Sequence, residues 1–395
     1  MHLVIVSPFP PAITGIGQYG YHVTRALAGS GSFSRVTVLA GSLTNGERPN
    51  HLGSTEIEYC WGPGQYSARR AILSRVRRLR PDLIWFNLGA SVFGKSPWMN
   101  ASGLLTPMLV QRMGFPTVVT LHELVELTDL RALDAPGGPF AAWGGRLLTD
   151  LATRADHICL TMRRYADWLA TRKVDCAHIP IGAYHEPEFL AESDSPELLF
   201  FTTLAPFKGL ELLLEAFRLL RAQYPELRLT VAGAEHIRFP DYARELKARF
   251  GGVDGAQWLG QIAEEEVREL FRRARIVVLP YTASTGSSSV LYQAATWGRA
   301  VVASDLGEIR TLAEENDLRV EFFRNGDLES LCDSIRAMLD EPERRRMQAR
   351  HNFNSIQRTR PQETSRKYIK AFNHALEKRR SPKRIMIPGL STEAA

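Results

Sequence analysis

Three short stretches of this 395-residue chain place small or cationic residues where the chain turns into a helix. That is the local chemistry a phosphate needs, because such turns leave backbone N–H groups free and sterically open. The first stretch is Pro10-Pro11-Ala12-Ile13-Thr14-Gly15-Ile16-Gly17-Gln18-Tyr19. Gly15 and Gly17 permit close backbone approach or positive φ just ahead of a helical pattern. An ordinary tight turn would use the same glycines. The dinucleotide fingerprint is excluded, since its last glycine is missing and the prolines lengthen the loop. The second stretch, Thr202-Thr203-Leu204-Ala205-Pro206-Phe207-Lys208-Gly209-Leu210, carries a lysine from a strand end into a helix. A lysine there can pair with a diphosphate; the alternative is a plain surface lysine. The third is Gly286-Ser287-Ser288-Ser289, which leads from an apolar run into the helical pattern that starts at Val290. It reads as a phosphate cradle or as a serine-rich helix cap.

His122 ends the apolar run TVVTLH, where a histidine can hydrogen-bond a substrate hydroxyl or move a proton. Strand-end histidines also serve structure alone. The following HELVE is no zinc helix, because the second histidine is absent and the segment reads as continuing the strand. No paired metal carboxylates stand out, so the expected site is free of metal and of any bound cofactor.

These residues need a scaffold, and the apolar pattern supplies one. Strand-like runs at 3–7, 36–40, 56–60, 83–87, 117–122, 157–161 and 178–181 alternate with helical patterns such as 20–28. After the polar stretch 186–196, which reads as a linker, the alternation restarts, with strands at 198–202, 227–232, 257–259, 275–279, 300–304 and 319–323. Helices are expected between them, at 210–221 and 264–273 among others. Such alternation predicts an α/β protein with two doubly wound, parallel-sheet, Rossmann-like domains facing across a cleft. The expected division is 1–187 and 188–359, with a helix over 360–379 returning to the first domain and a mobile tail over 380–395. Ligands of such sheets bind beyond the carboxyl ends of the strands, and the cleft between the domains is the expected site.

Bulk composition fits two globular domains: 44% hydrophobic and 23% charged. No run of about 18 apolar residues is present, and the opening MHLVIVSPFPP lacks the basic start of a signal peptide. The four cysteines (Cys60, Cys159, Cys176 and Cys332) are scattered, which suggests neither zinc nor a disulfide framework. A cytoplasmic location is expected. The net charge of +6 is partly local, in Arg69, Arg70, Arg75, Arg77, Arg78 and Arg80, and in Lys378, Arg379, Arg380, Lys383 and Arg384. Solvated helix faces explain it; attraction to anionic headgroups at the inner membrane face, or to a phosphorylated substrate, is the sharper reading. Nucleic acid finds no reader motif here.

At these residues the chain resembles a GT-B-fold glycosyltransferase of glycosyltransferase family 4. PPAITGIGQYGYHVTRAL resembles the family's glycine-rich loop and first helix, and LAPFKGLELLLEAF the segment with its phosphate-binding lysine. The runs LRLTVAGAE, AQWLGQIAEEEVRELFRRARIVVLP and GRAVVASDLGEI are similar to its successive strands and helices. The resemblance implies that Gly15 and Gly17 line the donor phosphates, that His122 touches the transferred sugar, and that Lys208 neutralises the diphosphate. It implies that the amides around Ser288, Ser289 and Val290 hold the distal phosphate, and that Gly260 and Gln261 border the nucleobase. Three positions depart from the family pattern. Its paired glutamates, near the donor sugar and the ribose, are here Thr285 and Gln293, and its arginine ahead of the lysine is Thr203. One cation and one anion leave the same site together, so its net charge is kept.

The expected activity is metal-independent, retaining transfer of a hexose of mannose or glucose type from a nucleotide-diphospho-sugar. The acceptor would be a hydroxyl of a saccharide or a lipid-linked acceptor, in cell-surface polysaccharide or glycolipid synthesis. Three other readings stand beside it. One is a catalytically silent relative that binds nucleotide or sugar, or scaffolds a partner. Another is a nucleotide-sugar epimerase using Glu123 and Glu126. The third, a nucleotide-binding oxidoreductase, is opposed by the missing fingerprint.

Overall fold

The computed structural model describes residues 1–11, 14–41, 48–94, 96–127, 139–236, 238–284 and 286–380. Thr285 and the tail beyond 380, with Lys383 and Arg384, lie outside the described residues.

Strands buried on both faces must be apolar nearly throughout, and the central strands are. In β1 (His2–Pro8), Leu3, Val4, Ile5 and Val6 are wholly buried. The first sheet adds β2 (Arg35–Gly41), β3 (His51–Leu52), β4 (Thr55–Trp61), β5 (Leu83–Leu88), β6 (Thr117–Leu121), β7 (His157–Leu160) and β8 (Cys176–His178). Their order is β3-β4-β2-β1-β5-β6-β7-β8, parallel except for the β3–β4 edge pair. The second sheet holds β9 (Glu197–Phe201), β10 (Arg228–Ala232), β11 (Ala256–Gly260), β12 (Ile276–Leu279), β13 (Ala300–Ser304) and β14 (Glu321–Phe323). Its order is β11-β10-β9-β12-β13-β14, with every pair parallel.

Each sheet reverses its winding once. The first reverses between β1 and β5, the second between β9 and β12. Beyond the carboxyl ends of such a strand pair the connections diverge and leave a crevice. The loops after β1 and β5 therefore flank one crevice, and the loops after β9 and β12 the other.

The terminal helix Pro361–Arg380 lies over the first sheet. Tyr368 and Phe372 are wholly buried, and Tyr368 packs on Trp85 at 4.8 Å between ring centroids. Its hydroxyl shares hydrogen bonds with Tyr19 (2.6 Å) and Thr120 (2.9 Å), and Thr120 also accepts from Trp85 Nε1 (2.8 Å). Part of the basic tail is used here. Lys378 donates to the Asp156 carbonyl and Asp175, and Arg379 to Asp156 and the Gln111 carbonyl.

Several boundaries differ from the sequence reading. The first helix spans Gly15–Ala28, so Gly15 and Gly17 form its opening turn instead of preceding it. Thr14 causes this by capping the helix, its hydroxyl accepting from the Gly17 amide at 2.9 Å. β6 stops at Leu121, and Val125–Leu127 is a 3-10 turn, so HELVE does not continue the strand. The stretch expected to be helical over 264–273 divides into a 3-10 turn, Glu264–Glu266, and a helix, Val267–Arg273. The polar stretch 186–196 is no loose connector. Buried Arg299 donates to the carbonyls of Leu190 and Ala191, and Glu192 pairs with Arg345 at 2.9 Å.

Candidate active site

At the first crevice a polar residue stands near the end of an otherwise apolar strand. Asn87 is next to last in LIWFNL, and its amide nitrogen donates to Ser7 Oγ (2.9 Å) and to the Ile16 carbonyl (2.8 Å). Its carbonyl oxygen stands 2.6 Å from His122 Nε2. Since the amide nitrogen is already donating, the oxygen accepts, and His122 carries its proton on Nε2. Burial holds the His122 pKa down at about 3, so the ring is neutral and Nδ1 keeps a lone pair. The edge of Tyr19 packs on this ring, with centroids 4.8 Å apart and planes at 84°.

The second crevice is built by two loops tied together. After β9, Pro206–Lys208 makes a 3-10 turn that ends at Gly209 with φ +68°. The Phe207 carbonyl accepts from the Thr282 and Ala283 amides at 3.0 and 3.3 Å, which pins this turn to the loop after β12. A Cβ on Gly209 would sit 1.8 Å from the Pro280 carbonyl oxygen, so no side chain fits. The Lys208 ammonium lies 3.9 Å above the Tyr281 ring. Among the described residues it makes no hydrogen bond or ion pair. Although its stem keeps some exposure, the ammonium is buried deeply enough that its pKa falls to about 8. An ammonium so placed wants an anion.

Ser288 caps the helix Ser289–Thr296 through its backbone alone, with no side-chain bond to the first amides. Val290 and Gln293 are buried on that helix, and Gln293 makes no side-chain hydrogen bond among the described residues. Ser287 Oγ donates across to the Thr161 carbonyl at 3.1 Å. Gly286 joins the two crevices: it takes φ +62°, and a Cβ there would lie 2.4 Å from the His122 carbonyl oxygen.

The sequence-predicted residues thus fall into groups. Gly15, Gly17, His122 and Gly286 are linked through Ile16 and Asn87. Lys208 and Ser288 share the loops around Tyr281, with half-buried Thr203 just upstream. The Gly17 amide is spent on Thr14, whereas exposed Gly15 would have open space around a Cβ. Gly260 ends β11, two strands away from β9, and Gln261 follows it; Gly260 takes φ +69° in open surroundings. Thr285 lies outside the described residues. The two carboxylates of the epimerase reading are already engaged: Glu123 accepts from the Ala90 amide (3.0 Å), and Glu126 from Thr149 Oγ1 (2.7 Å).

Sequence reasoning missed Asn87, Tyr19 and Tyr281. Asn87 carried a signal, a lone amide at the carboxyl end of a buried strand. Tyr281 carried none that separates it from core.

Two facing Rossmann-like sheets, with a terminal helix returning to the first, make the GT-B architecture. Sucrose-phosphate synthase from Thermosynechococcus elongatus has the same fold, with a TM-score of 0.73 over 95% of this chain and 99% of that one at 17% identity. Anabaena HepE in complex with UDP-glucose has a TM-score of 0.69 over 94% and 99%, at 16% identity. Residues 14–182 match the glycosyl transferase 4-like domain and residues 195–341 the glycosyl transferases group 1 domain. The chain belongs to the GT-B glycosyltransferases of the family-4 type.

Curated relatives match over parts of their length. The phosphatidyl-myo-inositol mannosyltransferase of Propionibacterium freudenreichii is 30% identical over 35% of this chain and 33% of its own. The D-inositol 3-phosphate glycosyltransferase of Thermobispora bispora is 24% identical over 62% of this chain and 61% of its own. An uncharacterized glycosyltransferase of Bacillus subtilis, YqgM, is 28% identical over 44% and 47%. The chain thus spans from one third to under two thirds of the length of these relatives.

Proposed function

We propose that this protein transfers a hexose, with retention, from a nucleoside-diphosphate sugar to a hydroxyl of a saccharide or lipid-linked acceptor. The observation that carries the reading is Lys208, a buried ammonium with no anionic partner among the described residues, set at a winding reversal over Tyr281, whose loop leads to the helix that begins at Ser289. A diphosphate supplies the missing charge. UDP-glucose bound to HepE and the mannosyltransferase name of one relative support the donor class.

In this reading the bond from the sugar's anomeric carbon to the phosphate oxygen breaks, and its electron pair leaves with the diphosphate. Lys208 and the helix amides stabilise that charge as it grows. The acceptor oxygen bonds the anomeric carbon on the same face and gives its proton to a departing phosphate oxygen. His122, neutral and fixed by Asn87, offers Nδ1 as an acceptor to a sugar hydroxyl; it orients the sugar and carries no proton away. No metal takes part. Thr203 provides no cation, so Lys208 carries the electrostatic load that two residues share in the family pattern.

The acceptor side bears on location. No helix among the described residues is long and apolar enough to cross a membrane. In the helix Ala68–Leu79, Arg75 and Arg78 are tied to Glu58. Arg70, Arg77 and Arg80 are exposed there, with no ion pair among the described residues. These three suit an anionic inner membrane face, where each is worth about 1 kcal/mol. Equal co-sedimentation with neutral and anionic liposomes would remove the membrane part alone.

The test of transfer is release of nucleoside diphosphate from a panel of UDP-, GDP- and ADP-sugars, with and without simple glycoside acceptors. Turnover of one donor supports the reading. No turnover, with nucleotide still bound, would favour a silent relative acting as a binding or scaffold protein, for which Thr203 is the supporting residue.

A further inference from the structure

A second cluster of chemistry-bearing side chains lies away from the reaction centre, on the seam where the two sheets' helices meet. His22 sits on the second turn of the first helix and is buried, its ring stacked on Tyr184 at 4.4 Å with planes 12° apart. His185 follows Tyr184 and leans on Trp297 at 5.3 Å. Glu264 opens the 3-10 turn after β11. One carboxylate oxygen, Glu264 Oε1, is 3.1 Å from His22 Nε2 and 2.9 Å from His185 Nε2.

From this geometry we infer that His22, His185 and Glu264 form a binding site for a divalent transition-metal ion such as zinc, which clasps the two halves together. Two observations carry it. The three donor atoms lie within 4.8 Å of one another and come from three separate segments. Two imidazole nitrogens and one carboxylate oxygen are a zinc ligand set, and bonds of about 2.0–2.2 Å bring adjacent donors to roughly 3–3.5 Å. Second, His185 Nε2 and Glu264 Oε1 are buried yet have no hydrogen-bond partner among the described residues, despite their short separation. Nitrogen and oxygen converge without an N–H aimed along the line, as ligands of a shared ion do.

His185 and Glu264 also line a cavity of about 640 Å³ with Tyr21, Arg25, Arg268 and Trp297. A fourth coordination position is therefore open to water or a small anion. The other comparable cluster among the described residues, His157, Asp175 and His374, is already served: Asp175 Oδ2 takes the Lys378 ammonium at 3.0 Å, which repels a cation. The ion would join the helix that begins with Gly15 and Gly17 to the loop after Gly260 and Gln261, and so stiffen both sides of the donor site without touching the reacting atoms. The inference is independent of the transfer reading.

The test uses the full chain stripped with a chelator, then titrated with zinc by calorimetry and thermal melting, and with cobalt(II) by visible absorption. Expected are about one equivalent of zinc, a raised melting temperature, and cobalt d–d bands of a low-coordinate nitrogen–oxygen site. His185→Ala and Glu264→Gln should each weaken zinc at least about tenfold and lose the cobalt bands, while His374→Ala binds as the parent does. Circular dichroism confirms that the variants fold, and the parent's cobalt spectrum stands without them. No binding by the parent overturns the inference. So does binding unchanged in His185→Ala and Glu264→Gln, or binding lost only in His374→Ala.

Discussion

His122 and Lys208 stand on the two sides of one seam and are held by opposite means. His122 is fixed before any ligand arrives: its Nε2–H donates to Asn87 Oδ1 at 2.6 Å, Tyr19 packs on its ring, and the backbone of Gly286 lies close to its carbonyl. Its environment keeps it neutral. Lys208 has its stem positioned by the Phe207 turn and its ammonium on the face of Tyr281, but nothing among the described residues neutralises it. A cation–π contact is worth about 0.5–2 kcal/mol, less than a bound anion supplies. One side of the candidate site is closed by the protein's own partners; on the other, among the described residues, a cation has no anionic partner.

Several substitutions can break or sharpen that contrast. The largest effect belongs to Gly286→Val. A β-branched residue at φ +62° is strained by about 1–3 kcal/mol, and its Cβ would meet the His122 carbonyl. Moving the two sides apart by about 1 Å should cost on the order of 100-fold in kcat/KM, read by initial rates. Lys208→Ala comes next. Losing one charge-assisted contact of about 1.5–3 kcal/mol should lower kcat/KM by roughly 10- to 100-fold, with the melting temperature at neutral pH unchanged or raised, since the variant no longer buries an ammonium. A smaller effect is expected from Asn87→Ala, which strands the buried Nε2–H of His122. That should cost about 1–3 kcal/mol of stability in urea unfolding and lower kcat more than it raises KM. Tyr368→Phe should be the mildest: about 0.5–1.5 kcal/mol less stable, with the rate intact, since it loosens the terminal helix and not the site.

The contrast also has a pH signature. Folding lowers Lys208 from its ordinary value near 10.5 to about 8, so between those limits the unfolded chain binds more protons. The Lys208 contribution to stability therefore rises with pH through that window. Diphosphate binding does the opposite: it favours the ammonium, so affinity should fall as pH rises past 8. Near pH 8.5 binding should take up a proton, seen as a dependence of the calorimetric heat on buffer ionisation enthalpy. His122 should contribute no limb to the rate near neutral pH, because burial keeps its pKa near 3.

The parts of this arrangement that follow from local pattern were legible in the sequence. Apolar runs such as LIWFNL mark buried parallel strands, and Lys208 and Gly286 stand out because a cation and a small-residue turn sit where a strand gives way to a helix. What local pattern cannot carry was lost. Thr14 sits beside glycines, so the apolar pattern starts the first helix at 20, five residues later than the structure does. The polar stretch 186–196 looked like a free connector because its partners, Arg299 and Arg345, lie more than 100 residues downstream. Asn87 could be noticed, but not that its oxygen would meet a histidine 35 residues away, since that depends on β5 and β6 pairing in register. His22, His185 and Glu264 come together only through packing of the two halves.

The most direct measurement is a calorimetric titration of UDP, GDP and ADP into the parent protein and into Lys208→Met, which keeps the stem and removes the charge. The account predicts that one nucleoside diphosphate binds the parent and binds the variant at least about tenfold more weakly. Equal affinity for both proteins, or no binding of any of the three, would contradict it.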